Sequence, residues 1–148
     1  YRLILNMLGI FTVIKTDNDL KSVRNSPMFS VLGFSRVNSI IGNKMLSEAQ
    51  ICANDINAKR ALYNNNIQIL NDIRKNYHIF LSKVDLENDL DEVMHQKLSN
   101  ILEANNPVEY LQKSKHYNMV ELVEKLTDDD CYTIFNSYNF ACLKEVSK

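Results

Sequence analysis

Between Ser47 and Val84 the chain contains neither glycine nor proline, and no other stretch limits its folding options so tightly. Ala49, Ile56, Tyr63, Leu70, Tyr77 and Val84 recur every seven residues. Cys52, Ile73 and Phe80 follow members of that row by three, and Ala53, Ile67 and Leu81 by four. On a helix this spacing makes one broad apolar stripe, with Lys59, Arg60, Arg74 and Lys75 on or beside its margin. Ser47, followed by Glu48 and Gln50, reads as a helix start. The Asn64-Asn65-Asn66 run has poor helix propensity and offers a breakpoint. The seven-residue row crosses it without a change of phase, so the pattern predicts one continuous central helix over residues 47–84.

The rest of the chain suits the same picture. It has 148 residues, 45% of them hydrophobic, enough for one domain with a real core. With three glycines and two prolines, turn punctuation is scarce, which favours helices joined by short loops. The expected fold is therefore all-α: an irregular bundle of five to seven helices around the central one, with room for a short β element before residue 45. Residues 1–148 read as a single helical domain, and a first residue of Tyr1 rather than methionine suggests a fragment or one domain of a longer polypeptide.

Leu3, Met7, Phe11 and Ile14 lie at helical spacing in an apolar run too short to span a bilayer, which needs about 20 residues. Thr16-Asp17-Asn18-Asp19 suits a turn or a cap leading into a short segment at residues 20–24. From Met28 to Ile41 the pattern fits a helix or short strands, ended by Gly42-Asn43. Asp85 opens a helix whose first turns carry Glu87, Asp89, Asp91 and Glu92, where carboxylates complement the helix dipole. Asn105-Asn106-Pro107 stops it, and a helix begins at Pro107. Another carries Met119, Leu122, Val123 and Leu126. Thr127 and Asp130 form a capping-box pattern, ahead of a last helix from Cys131 to Val146.

Chemical signatures are sparse. The Asp85, Glu87, Asp89, Asp91 alternation lacks the glycine and final glutamate of a calcium loop: Leu90 and Gln96 stand there. His78, His95 and His116 lie far apart, with no zinc spacing among them and the cysteines. Cys131 follows three aspartates, which oppose a thiolate, and reads as a packed core residue. Gly9, Gly33 and Gly42 are isolated, so no phosphate-binding loop is written. No catalytic residue, metal ligand or cofactor is expected on these grounds. Cys52, Cys131 and Cys142 are odd in number, so a reducing, intracellular compartment is expected, the cytoplasm or a host cytosol for a secreted effector.

Charge is uneven along the chain. Residues 1–84 carry eleven Lys/Arg against five Asp/Glu, and residues 85–148 six against thirteen. The expected function is a non-enzymatic helical interaction module (adaptor, assembly subunit or effector-like domain) with a protein partner or self-association. The alternative is a nucleic-acid-binding helical domain using the basic N-terminal half, with Lys59, Arg60, Arg74 and Lys75 as its surface. Asn106-Pro107-Val108-Glu109-Tyr110-Leu111, His116 and the run from Met119 to Val123 also resemble the two-helix unit of an ankyrin repeat, although Lys115 replaces its glycine. That resemblance implies protein binding through a helical array.

Overall fold

The computed structural model describes residues 2–148. It is a mixed α/β fold, which corrects the all-α bundle. In chain order the elements are α1 (Arg2–Met7), β1 (Ile14–Thr16), β2 (Leu20–Ser22), β3 (Phe29–Val31), α2 (Leu32–Ile41), β4 (Gln50–Ile51), α3 (Ile56–Asn65), α4 (Ile67–Tyr77) and β5 (Ile79–Leu81). Then come helices only: α5 (Leu86–Leu102), α6 (Pro107–Lys113), α7 (Lys115–Lys125), α8 (Asp128–Asn136) and α9 (Ala141–Val146).

The long central helix does not exist. Residues 47–84 divide into β4, α3, α4 and β5. Asp55, not Ser47, caps α3, its carboxylate accepting from the Ala58 amide at 2.7 Å. At Asn66 the backbone leaves helical geometry and the side-chain amide turns back to donate to the Leu62 carbonyl. This local bond competes with helix continuation, as asparagine side chains do. Tyr63 and Leu70 keep the seven-residue phase because both still enter one core, from two helices. His78, at a φ of 53°, ends α4 and turns the chain into β5. The N-terminal apolar run is likewise split, into α1 and β1. Tyr1 and the Leu3 side chain lie outside the described residues. The single last helix is also two, α8 and α9, separated at residues 137–140.

Two sheets result. β1 and β5 pair in parallel, Ile14 opposite Ile79 and Thr16 opposite Leu81. β2, β3 and β4 form a small antiparallel sheet. β5 is buried at every position, as expected of a parallel strand covered on both faces. The first core gathers Val31, Phe34, Val37, Leu46, Tyr63, Leu70, Ile73, Ile79 and Leu81. The second gathers Leu90, Met94, Leu98, Leu102, Leu111, Leu122, Ile134 and Phe140 from the helical half.

The starts of α5, α6 and α8 follow the sequence closely. Asp85 caps α5, and Asn106 caps α6 with Pro107 at its first position. Thr127 and Asp130 close a complete capping box on α8. The α6–α7 pair that resembles a repeat unit is a helical hairpin whose buried side chains, Leu111 and Leu122, pack into the core of α5. Cys131 is exposed, contrary to the expected core position. No helix among the described residues is long and apolar enough to cross a membrane.

Candidate active site

Parallel pairing of β1 with β5 sets their carboxyl ends side by side, and both strands lead into acidic residues. The Ser82 amide donates to the Thr16 carbonyl at 2.9 Å, and the Asn18 amide to the Val84 carbonyl at 2.9 Å. This zipper draws Asp17 and Asp19, which follow β1, toward Asp85 and Glu87, which follow β5. Open α/β sheets commonly bind ligands at such strand ends.

The loop carrying Asp17 and Asp19 is held by its backbone. The Leu32 and Gly33 amides donate to the Asp19 carbonyl at 2.8 and 3.3 Å, so this loop supplies the cap that Val31 cannot give α2. Asn18 is fully buried beneath it. Gly33 makes the close approach feasible: a Cβ there would stand 2.6 Å from Asn18 Oδ1 and 2.9 Å from Asn18 Cα. Arg36, one turn further along α2, brings both terminal guanidinium nitrogens to Asp19 Oδ2 at 3.0 and 3.1 Å.

From the other side comes the first turn of α5. The acids expected at this helix start are there, Glu87 and Asp89 in the first turn behind the Asp85 cap. What the sequence does not show is their burial: they are 0% and 1% exposed. Asp89 is paired with Lys15 of β1 at 2.6 Å. Glu87 is the unusual one. Lys115 Nζ, at the start of α7, lies 2.9 Å from its Oε1 and 3.9 Å from Asp17 Oδ2. That contact is off hydrogen-bond alignment, and Glu87 Oε2 meets no donor among the described residues. A buried carboxylate left this way is costly, so an orphaned oxygen at a cluster of acids calls for an explanation.

Electrostatics agree with the geometry. Burial pushes the Asp17 carboxyl above its ordinary value. Lys115 partly offsets this, while Asp19, Asp85 and Glu87 raise it further. The contact with Glu87 raises Lys115 in turn. Lys15, Thr16, Asp17, Arg36 and Lys115 border a cleft of about 380 Å³; Asp17 is the carboxylate on its wall, and the buried Glu87 touches that wall through Lys115. No group of three or more His, Cys, Asp or Glu side chains among the described residues is drawn together as a ready metal site. The donors are nonetheless hard oxygens, and the free Glu87 oxygen fits a hard cation.

The basic residues singled out in sequence are placed elsewhere. Lys59 borders a cleft between α3 and α5, and Arg60 reaches Glu92 at 3.8 Å. Arg74 and Lys75, on α4, border a different cleft with residues of α9. Of the histidines, His95 pairs with Asp91, His78 with Glu145, and His116 lines a groove on α7.

No family model matches the chain. Endonuclease GajA of Bacillus cereus (strain VD045) is 41% identical to it over 154 aligned positions, covering 96% of this chain and 26% of that protein. The chain thus spans about a quarter of the length of the curated relative it matches. Similarity of this extent to a protein named as an endonuclease overturns the expected non-enzymatic interaction module, with its adaptor, assembly-subunit and effector versions.

Proposed function

We propose that this chain is part of a nuclease and that the acidic cleft at the ends of β1 and β5 is where nucleic acid is cut. One observation carries the reading: Glu87, wholly buried with an unpartnered oxygen, sits among Asp17, Asp85 and Lys115 in a chain 41% identical to an endonuclease. Asp17 and Glu87 would hold a hard divalent cation, which in phosphodiester hydrolysis neutralises phosphate charge and lowers the pKa of bound water. The chain's own groups have definable tasks. Lys115 presents an ammonium to the same cleft and can offset charge building on a phosphoryl group. Arg36 fixes Asp19, and the Asn18 and Gly33 contacts fix the loop that carries both aspartates.

Asp17→Asn and Glu87→Gln in the intact protein are the test. Each is expected to abolish cleavage, by about 100-fold or more, while the variant stays folded. Asp17 adds a stability readout of known sign. Its folded pKa is raised, so the stability it contributes is present below the unfolded value of about 3.8 and is lost as pH climbs through the folded value. At neutral pH the ionised carboxylate works against folding. Asp17→Asn is therefore expected to melt higher than wild type at pH 7, with the gain vanishing toward pH 3. Full cleavage by both variants would refute the assignment.

A further inference from the structure

A second charged cleft is bordered by Phe80, the middle residue of β5. Asn71, Arg74, Lys75, Phe80, Tyr138, Lys144, Glu145 and Lys148 border a concavity of about 480 Å³. Four of these are cations and one is an anion. The sequence shows Arg74 and Lys75 as a pair; the fold adds Lys144 and Lys148, some 70 residues on, by laying α9 beside β5.

The arrangement is built around a fixed guanidinium. Arg74 lies 4.0 Å over the Tyr138 ring and 5.4 Å from the centre of the Phe80 ring. It donates to the Tyr63 hydroxyl at 2.7 Å and to the Tyr138 carbonyl at 3.4 Å. No carboxylate neutralises it among the described residues, and its Nε is buried without a partner. Glu145 is shared between Lys148, at 2.7 Å, and His78, at 3.1 Å. Lys75 is exposed, and Lys144 lies near the Phe135 ring rather than an acid. The cleft keeps a surplus of positive charge beside aromatic surface, the combination that suits a phosphodiester backbone.

The chain itself bounds the distance between the clefts. Phe80 borders the basic cleft, and Asp85, five residues on, acts electrostatically on Asp17 of the other. At about 3.3 Å per residue that is a span of at most roughly 17 Å. With a rise of about 3.4 Å per nucleotide along one strand, it corresponds to roughly five nucleotides.

Building on the nuclease reading, we propose that the Arg74, Lys75, Lys144 and Lys148 cleft grips the sugar-phosphate backbone of the substrate within about five nucleotides of the acidic cleft. The test is fluorescence anisotropy of the intact protein with labelled oligonucleotides across a salt series. Lys75→Gln, Lys144→Gln and Lys148→Gln are combined, sparing Arg74 because it is packed between aromatic rings. A control replaces the exposed Lys21, Lys44 and Lys113 by glutamine. The cleft triple variant is expected to bind roughly tenfold more weakly, with a log-log salt slope shallower by up to about 2.7. The control should bind as wild type. Equal weakening in both triples, or none in the cleft triple, would overturn the proposal and leave the acidic cleft's assignment standing. Absence of any nucleic-acid binding by wild type would defeat both.

Discussion

The two halves of the molecule are stabilised at different ranges along the chain. In the helical half, α5 to α9, the boundaries are set by residues three positions apart: Asp85 with Asn88, Asn106 with Glu109, Thr127 with Asp130. In the first half the decisive partners are remote. β1 meets β5 some 65 residues later, and the amides opening α2 are satisfied by the Asp19 carbonyl across a turn and two strands. The candidate site lies where the halves meet, on loops of the first and the opening turn of the second. Local rules can describe a scaffold, whereas a site assembled across remote segments needs the pairing itself.

The largest expected effect comes from cutting the link between the halves. Lys15 of β1 pairs with the buried Asp89 of α5 and also donates to the Asn139 carbonyl at 3.0 Å. Lys15→Met would leave a carboxylate buried without its cation and is expected to cost about 3 kcal/mol, at the low end for buried pairs because Lys15 is partly exposed. The double variant Lys15→Met, Asp89→Leu should regain much of that in denaturant melts. If the single variant proves neutral, the halves are held together by something other than this pair.

Next in size is Gly33→Ala. The added methyl would press on the Asn18 backbone as well as its side chain, so the acidic loop must shift. A loss of about 1–3 kcal/mol is expected, with cleavage reduced by more than the stability loss explains. Thr127→Ala should cost least, about 1 kcal/mol, because a capping box serves only its own helix. It should leave cleavage untouched. The box also carries a pH signature. Bonds from the Thr127 side chain and backbone, reinforced by Lys97, hold the Asp130 carboxyl down at about 2. Its contribution is present above the ordinary carboxylate pKa and fades as pH falls from about 3.8 through about 2, so the gap between acid melts of wild type and Thr127→Ala should narrow there.

The same contrast explains what could be read from the sequence. Asp85, Pro107 and the Thr127–Asp130 pair are legible because a cap is a short-range device. Strands of two or three residues carry too little alternation to stand out, and the β1–β5 pairing has no local marker. The seven-residue row misled because residues on two helices can share one core while Asn66 breaks the backbone between them. Asp17, Asp19, Asp85 and Glu87 were all visible, yet each acidic group also suited a turn or a helix end. A usable signal was present: each group begins three or four residues after a short apolar run, at Phe11–Ile14 and at Ile79–Leu81. Lys115, noted only as a missing glycine, became meaningful when the fold set it 2.9 Å from Glu87.

Thermal melts of the intact protein over a Mg²⁺ titration, with wild type beside Glu87→Gln, test the acidic cleft most directly. A ligand that binds only the folded state raises its melting temperature with concentration. Wild type is expected to melt progressively higher as Mg²⁺ is added, while Glu87→Gln, lacking the charged oxygen that has no protein partner, stays flat or nearly so. An equal rise in both proteins, or no rise in wild type, would contradict the assignment of this cleft as the cation-dependent centre.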